Sequence, residues 1–364
     1  MQRVLVPDPD AFAALLCDWC LEAGAGQQVL VRSTTLAAPL LLSLQRALLE
    51  RGAWPLLRTE LPGQQEGFYA AAQDEHLDAV PAAELAVAES VDAFLGIQAP
   101  ANTRALAGVD PAAQARARAA NRRLQEIRLA KRWAISIWPT QAQAQEAGMA
   151  LDAFAAFVER ALFLDRPDPV EAWRELTAFQ ATLVERLEQA RELRIQADGT
   201  DLTLRVDGRT WINSDGRRNM PSGEVFTGPL EDSASGRVRF GVPSSPSGVE
   251  VEGVELVFED GVVVEAKAER GQDYLDATLD SDSGARRLGE IGIGTNFGLD
   301  RAVGAILLDE KIGGTVHLAL GRSYPETGGV NESAVHWDLI CDLRTGGTLT
   351  ADRTSIQRDG QFVT

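Results

Sequence analysis

The chain has 364 residues, of which 45% are hydrophobic and 24% are charged, and its formal net charge is −18. This length predicts two domains, and the composition is that of an ordinary globular protein. Because an acidic chain repels phosphate groups and anionic lipids, the charge disfavours partners such as nucleic acid or a membrane surface.

The sequence shows no targeting or membrane segment. No apolar run reaches the roughly 20 residues that a transmembrane helix requires, and the first residues, MQRVLVPDPD, lack the apolar stretch of a signal peptide. The cysteine count of three is odd, which argues against a disulfide framework. These features predict a cytoplasmic protein.

Residues 1–190 alternate helix and strand signals, which predicts an N-terminal, doubly wound α/β domain with a mostly parallel sheet. Asp8 and Pro9 predict the start of the first helix, and Gly24 predicts its end. The further predicted elements are a strand over 28–32, a helix over 35–50, strands over 55–59 and 92–97, a long helix from Asp110, a strand over 133–138, and a capped helix from Asp168 to about residue 190.

Two motifs of this half invite a functional interpretation that the sequence does not support. Nucleotide binding requires a glycine-rich loop after the first strand, but strand 28–32 continues into Ser-Thr-Thr without the G-x-G-x-x-G pattern. Cys17 and Cys20 have C-x-x-C spacing but lie inside a predicted amphipathic helix, and the remaining cysteine is Cys341. We interpret the pair as small buried side chains rather than a redox or zinc site.

The composition changes near residue 191, where Ala- and Leu-rich helices give way to short segments rich in Val, Thr and Gly. Asp-Gly pairs at 198–199, 207–208 and 260–261 separate apolar runs, a pattern typical of hairpin turns. We therefore predict that residues 191–364 form a β-rich, α+β second domain.

Histidine and acids cluster near the end of the chain. The protein has three histidines; His76 is predicted to lie on the surface, whereas His317 and His336 fall within one stretch, residues 310–342. Because side chains alternate along a strand, TVHLALG places His317 opposite its apolar face, and AVHWDLICD places His336 and Asp338 opposite its own. The predicted apolar faces carry Val316, Leu318 and Leu320 in the first strand and Val335, Trp337, Leu339 and Cys341 in the second.

Four stretches of the second domain have the character of a site rather than a core. They are NMPSGEVFTGP with Glu224, RRLGEIGIGTNFGL with Glu290, DEKIGGTVHLALGRSY with Glu310, His317 and Tyr324, and NESAVHWD with His336 and Asp338. An acid among glycines and apolar residues is costly to bury unless it is paired or bound to metal. Two histidines with four carboxylates make a mixed nitrogen and oxygen set that suits zinc, cobalt or manganese. The structural alternative is that Glu224 or Glu290 pairs with an arginine, such as Arg217 or Arg287.

These four stretches resemble the thermophilic aminopeptidase family, the metallopeptidases that include aminopeptidases T and S. The resemblance covers essentially the whole chain, with an α/β domain over 1–190 and a catalytic domain over 191–364. It implies a cytoplasmic homodimer that binds two divalent metal ions (Zn, Co or Mn) and removes residues from peptides with a free N-terminus.

The same resemblance implies a role for each candidate residue. Glu290 would bridge both metal ions, and Tyr324 would be an active-site tyrosine that stabilises the developing oxyanion. The remaining implied ligands are Glu224, Glu310, His317, His336 and Asp338. The segment KIGGTV between Glu310 and His317 is longer than in better-known members. Both Glu290 and Glu310 are candidates for the general base.

Two other functions fit the same residues. One is a non-catalytic protein on this scaffold that binds metal or peptide, which hydrolysis of an aminoacyl chromogenic substrate would exclude. The other is a glycosidase that works through Glu224 and Glu290 without metal. Loss of activity on addition of a chelator would exclude the glycosidase.

Overall fold

The structure is a computed structural model that describes residues 7–244 and 248–363. The chain divides into two compact units, one of Met1–Glu171 and Gly216–Pro221 and the other of Ala172–Asp215 and Ser222–Thr364. Among the described residues, no helix has the length and apolar character needed to span a membrane. The expectation about a signal peptide concerns residues 1–6 in part, which lie outside the described ranges. The division into domains at residue 190 stays a prediction.

The regular elements are named here in chain order. The helices are α1 (Pro9–Leu15), α2 (Ala38–Glu50), α3 (Gln64–Ala71), α4 (Asp74–Asp78), α5 (Ala82–Ser90), α6 (Pro111–Ala120), α7 (Arg122–Leu129), α8 (Gln141–Glu146), α9 (Leu151–Ala161), α10 (Pro169–Leu187), α11 (Gln272–Leu279) and α12 (Ile306–Asp309). The strands are β1 (Gln28–Thr34), β2 (Trp54–Glu60), β3 (Ala93–Gln98), β4 (Arg132–Ile137), β5 (Glu192–Ala197), β6 (Thr200–Arg205), β7 (Ile212–Ser214), β8 (Asn219–Met220), β9 (Glu224–Thr227), β10 (Ser235–Phe240), β11 (Val254–Glu259), β12 (Val262–Lys267), β13 (Leu288–Gly294), β14 (Thr315–Gly321), β15 (His336–Asp342), β16 (Thr348–Ala351), β17 (Thr354–Arg358) and β18 (Gln361–Phe362).

The first unit contains a parallel sheet with the strand order β2-β1-β3-β4-β8. The prediction of a parallel α/β region is therefore confirmed. Four of its strands were predicted from apolar runs, whereas β8 is only two residues long and comes from a distant part of the chain. Such a short strand carries no periodic signal.

Two helix boundaries differ from their predictions. Asp8 caps α1 as expected, since its Oδ1 accepts hydrogen bonds from the N–H groups of Asp10 and Ala11. The helix continues as a π-helical turn over Leu16–Leu21 and ends at Glu22, which adopts a left-handed φ of 46°, so the prediction of Gly24 was wrong. The predicted long helix from Asp110 is in fact two helices, α6 and α7, that meet at Asn121.

The second unit contains two antiparallel sheets, which confirms the predicted β-rich character of this half. Their orders are β12-β11-β10-β6-β5-β16-β17-β18 and β15-β14-β13-β9-β7. Apolar side chains from both sheets form one hydrophobic core. The Asp-Gly pairs at 198–199 and 260–261 join β5 to β6 and β11 to β12 as hairpins. The pair at 207–208 does not form a hairpin, because β6 and β7 belong to different sheets.

Candidate metal centre

The smaller antiparallel sheet separates an apolar face from a polar face. Directly opposed residues of neighbouring antiparallel strands share a face. Ala319 of β14 lies opposite Glu290 on one side and Asp338 on the other, and Gly321 lies opposite His336. His317 is two residues from Ala319 and so projects from the same face. The predicted apolar faces are confirmed, since Val316, Leu318, Leu320, Trp337, Leu339 and Cys341 belong to the core on the other side.

Glycines make room for this polar face. Gly292 of β13 lies opposite His317, and a Cβ atom at Gly292 would fall 2.0 Å from the His317 Cε1 atom. Gly294, two residues on, lies opposite Glu224 at the start of β9. Gly292 therefore gives the imidazole of His317 its space, whereas a Cβ atom at Gly294 would fall 2.0 Å from the carbonyl oxygen of Ile312.

The side chains of this face converge within hydrogen-bonding or ion-pairing distance. The two carboxylate oxygens of Glu290 face different histidines: Oε1 lies 3.2 Å from Nε2 of His317, and Oε2 lies 3.7 Å from Nε2 of His336. Nε2 of His317 also lies 3.5 Å from Oε2 of Glu224. Nε2 of His336 lies 3.7 Å from Oδ1 of Asp338. Glu290 therefore lies between two histidine–carboxylate pairs.

Backbone carbonyls orient both imidazoles. Nδ1 of His317 lies 3.0 Å from the carbonyl oxygen of Glu310, and Nδ1 of His336 lies 2.9 Å from that of Arg322. Since a carbonyl only accepts, each Nδ1 carries the donated proton, and each Nε2 points into the carboxylate cluster. This is the usual arrangement of a metal-binding histidine, in which the second nitrogen is held by a hydrogen bond.

The cluster fits divalent metal ions. Oε2 of Glu224 and Oε2 of Glu290 are buried and have no hydrogen-bond partner among the described residues, which is costly for a carboxylate in a protein interior. Potential ligand atoms lie within 4.8 Å of one another in three overlapping groups, namely Glu224, Glu290 and His317; Glu290, His336 and Asp338; and Glu310, His317 and Asp338. A divalent cation would satisfy the buried oxygens, and the mixed donor set is one that transition metals prefer.

Lys311 is a member of this cluster that the sequence analysis missed. Its side chain is fully buried, and its Nζ lies 3.2 Å from Oε1 of Glu224 and also contacts the Glu310 carboxylate. Burial alone would lower the pKa of the ammonium group, but Glu224 and Glu310 outweigh this effect and raise the pKa above its usual value. In the metal-free chain the centre therefore contains a positively charged ammonium group at neutral pH. The sequence feature that could have identified Lys311 is its position between the candidate ligand Glu310 and the uncharged run IGG.

In the metal-free chain, the pKa values of several acids of the centre and of His317 are shifted from their usual values. Burial raises the pKa of Glu224 to about 7, although Lys311 opposes the shift, and burial raises the pKa of Asp338 to about 6. Burial acts in the same direction on Glu310, but Lys311 and His317 hold its pKa below the usual value. Burial would lower the pKa of His317, yet Glu290 and Glu224 raise it to about 10. Metal binding would displace such protons.

Tyr324 borders the centre. It follows β14 and precedes a 3₁₀ turn over Pro325–Thr327, and its ring packs edge-on against His336 and Phe226 with centroid distances of 5.0 and 5.8 Å. Burial and the charge of Glu290 raise the pKa of its phenol. Tyr324 therefore keeps its proton at neutral pH and remains a hydrogen-bond donor.

The candidate residues from the four separate stretches of sequence thus lie together in one cluster, which also contains Lys311. Two histidines and four carboxylates, with two buried oxygens that accept no hydrogen bond from the described residues, form a cluster of the kind that metal-dependent hydrolases use. The family model described as thermophilic metalloprotease (M29) matches residues 8–362. The chain belongs to this family, and its enzyme class is metalloaminopeptidase.

Individual relatives agree with this assignment. The chain is 35% identical to aminopeptidase 2 of Geobacillus stearothermophilus over 76% of this chain and 77% of that protein. It is 32% identical to aminopeptidase T of Thermus aquaticus over 64% of this chain and 63% of that protein. Among solved structures, wild-type AmpT from Thermus thermophilus superposes with a TM-score of 0.84 at 25% identity, covering 98% of this chain and 99% of that chain.

A second solved structure resembles the chain in fold alone. The 2,5-dihydroxypyridine dioxygenase of Pseudomonas putida KT2440 has a TM-score of 0.60 at 17% identity, with 98% of both chains covered. One fold can carry different chemistries, so the function has to be argued from the side chains of the centre.

Proposed function

We propose that this enzyme hydrolyses N-terminal residues from peptides with a pair of divalent metal ions, zinc, cobalt or manganese. The observation that carries the proposal is the orientation of Glu290, whose two oxygens face two different histidines at 3.2 and 3.7 Å. A carboxylate in this position can bridge two cations, as in other two-metal hydrolases.

The proposed ligands divide around Glu290. Glu224 and His317 lie on one side of it, and His336 and Asp338 lie on the other. Glu310 is a further proposed ligand, because its carboxylate belongs to a group with His317 and Asp338. Each residue keeps the role that the family resemblance implies.

The chain's own residues prepare the reaction. When bound, two divalent cations would polarise the peptide carbonyl and lower the pKa of a water molecule to about 7. The carbonyls of Glu310 and Arg322 fix the imidazoles, so that no reorientation is needed when metal binds. Lys311 offsets part of the carboxylate charge and holds Glu224 and Glu310 in place.

Oxyanion stabilisation falls to Tyr324, which borders the centre, and proton transfer falls to a carboxylate within it. Tyr324 would donate its phenolic hydrogen bond to the carbonyl oxygen as negative charge develops there. The candidates for the base that accepts the proton of the attacking water are Glu290 and Glu310. The proposal includes a free peptide N-terminus as the feature that substrates share, a homodimeric assembly and a cytoplasmic location, with neither nucleic acid nor membrane as a partner.

The test compares Glu290→Gln with Glu265→Gln, the same chemical change at an exposed position of β12. With leucyl p-nitroanilide as substrate, we expect kcat/KM of Glu290→Gln to fall by at least about 100-fold, because even indirect metal contacts contribute 10–100-fold. Elemental analysis is expected to show fewer bound metal ions in Glu290→Gln and an unchanged number in Glu265→Gln.

Other outcomes would contradict the proposal. Full activity of a folded, metal-stripped Glu290→Gln protein would exclude a metal-dependent reaction at this centre. Metal binding without hydrolysis of any aminoacyl substrate would instead indicate a binding protein. Activity that resists a chelator would indicate carboxylate-only chemistry.

A further inference from the structure

Strand β15 forms one edge of the sheet that carries the metal centre. The pairing with β14 shows which residues of β15 direct their backbone groups towards that strand. The N–H of Arg322 donates to the carbonyl of Val335 at 2.7 Å. In an antiparallel pair, bonded and non-bonded positions alternate. Val335, Trp337 and Leu339 therefore bond to β14, whereas the backbone groups of the residues between them point away from it.

The outward-facing residues are His336, Asp338 and Ile340. Within residues 7–244 and 248–363, no strand pairs with this edge, and the N–H groups of Asp338 and Ile340 donate no hydrogen bond to a described residue. Ile340 is only 3% exposed. Both residues also line a cavity, and an N–H beside a cavity requires an acceptor from water or a ligand, so this edge has the properties of a site for a hydrogen-bonding ligand.

A cavity of about 600 Å³ lies along the same edge. Its wall includes His336, Asp338 and Ile340 on one side and residues of α11, such as Tyr274 and Thr278, on another. The volume falls within the range of about 300–1,000 Å³ that is typical of ligand sites. The cavity therefore borders the metal centre at His336 and Asp338, two of the candidate ligands.

The chemistry of the wall selects the kind of occupant. Among the described lining residues there is no Lys or Arg, and apolar side chains such as Val242, Ile306 and Trp337 predominate. Such a wall offers no partner to a terminal carboxylate. It suits an uncharged, extended peptide backbone that pairs with the strand edge and places its side chains against apolar surface.

We propose that the peptide substrate binds as an added strand along the free edge of β15, with its N-terminal residue at the metal centre. This inference rests on the proposed function and names the preferred substrate class, peptides of three or more residues over shorter substrates. Backbone pairing makes recognition independent of the peptide sequence beyond the first residues. Each hydrogen bond between the peptide and the strand lowers the KM of longer substrates.

The first experiment uses the metal-loaded wild-type enzyme and the pentapeptide amide Leu-Ala-Ala-Ala-Ala. An ester replaces the amide N–H at residue 3, 4 or 5, which removes one donor with little change in shape. Since a paired strand bonds at every second residue, we expect the KM to rise roughly three- to tenfold at alternate positions only. A KM that is insensitive to the ester, or equally sensitive at all positions, would overturn the proposal.

The second experiment changes the enzyme. Ile340→Pro removes the outward N–H, and a proline is tolerated in an edge strand when its nitrogen faces away from the neighbouring strand. The matched control is Ile340→Val, which keeps the N–H. We expect the ratio of kcat/KM for the pentapeptide amide to that for leucyl p-nitroanilide to fall in Ile340→Pro and to stay unchanged in Ile340→Val. Equal ratios in both variants would contradict the proposal, and the ester series decides the question if Ile340→Pro does not fold.

Failure of the proposed function gives a different result. If the metal-loaded enzyme hydrolyses neither substrate, the aminopeptidase proposal fails, and calorimetric binding of the same ester series then tests the strand edge alone. Alternating sensitivity of the Kd would support the edge, and a uniform Kd would overturn it.

Discussion

At the residue scale, Lys311 is the least expected member of the centre. A single lysine after two acids in DEKIGG has the appearance of an ordinary surface charge, and no sequence periodicity marks it as buried. In the structure its ammonium group is enclosed with Glu224 and Glu310. Without metal, Lys311 offsets part of the negative charge of the cluster.

This arrangement predicts that Lys311→Met lowers the stability of the metal-free enzyme more than that of the metal-loaded enzyme. Removing one partner of a buried ion pair costs about 3–5 kcal/mol, whereas bound divalent cations would take over part of the lost positive charge. We expect the melting temperature of the chelator-treated variant to fall well below that of the treated wild type, with a smaller difference after metal is restored. Lys267→Met, at an exposed position, is the control, and an equal loss in both forms would contradict this role.

Gly292 gives a second prediction at this scale. A methyl group there would lie 2.0 Å from the His317 ring, so the imidazole has to move. We expect Gly292→Ala to lower the free energy of unfolding by about 1–3 kcal/mol and to reduce the amount of bound metal. Gly67→Ala meets no atom within 4 Å and lies inside α3, so it should leave the bound metal unchanged and, because alanine favours a helix, should not lower the free energy of unfolding. A fully metal-loaded Gly292→Ala protein would show that the site has other space.

The sequence predicted much of the centre because strands have a simple period. The alternation in TVHLALG and AVHWDLICD was sufficient to assign His317, His336 and Asp338 to one face. It could not position Glu310 or Lys311, which follow α12 and depend on how that irregular segment folds back. Their positions depend on tertiary packing rather than on a local pattern.

At the scale of single elements, the first helix shows how burial lowers the reactivity of a cysteine. Its π-helical turn over Leu16–Leu21 buries both Cys17 and Cys20, and the Sγ of Cys20 lies 3.2 Å from the carbonyl of Gly216. Burial raises the pKa of Cys17 to about 12, although Arg51 opposes the shift. The interpretation of this C-x-x-C pair as buried side chains agrees with these contacts.

We therefore expect the native enzyme to be unreactive towards a thiol reagent. The thiolate is the reactive form, and a raised pKa keeps the thiol protonated until the pH approaches the folded-state value. At pH 8, Ellman's reagent should modify none of the three cysteines, all of which are buried thiols outside any disulfide, and should modify all three after denaturation. Rapid reaction of the native protein would show that the π-helical turn opens readily.

Helix boundaries were the least predictable part of the elements. Both Asn121 and Glu22 end or interrupt a helix without a proline or glycine at that position, so propensity alone gave no signal. Asn121 instead donates a side-chain hydrogen bond to the carbonyl of Ala117 at 2.8 Å, which competes with continuation of the helix. The Asp260-Gly261 turn, in contrast, was predictable because both residues require positive φ.

At the scale of the whole molecule, the metal ions should contribute to the stability of the second unit. Ligands that bind only the folded state stabilise it, by about 2.7 kcal/mol at a free concentration of 100 Kd. We expect a chelator to lower the melting temperature by several degrees and zinc, cobalt or manganese to restore it. Magnesium at the same concentration should restore less, because imidazole nitrogens are poor ligands for it; full recovery with magnesium would contradict a mixed nitrogen and oxygen centre.

The passage of the chain between the two units restricts how the protein can be dissected. Because residues 216–221 belong with the first unit, the polypeptide passes from one unit to the other three times, after Glu171, Asp215 and Pro221. A fragment that stops at residue 190 lacks β8 and leaves Ile135 and Ser136 unpaired on the side of β4 that faces away from β3. An uncovered strand edge favours aggregation. Cleavage at a single peptide bond therefore separates neither unit intact. Expressing the first unit alone would require a chain in which residues 216–221 are joined to residues 1–171.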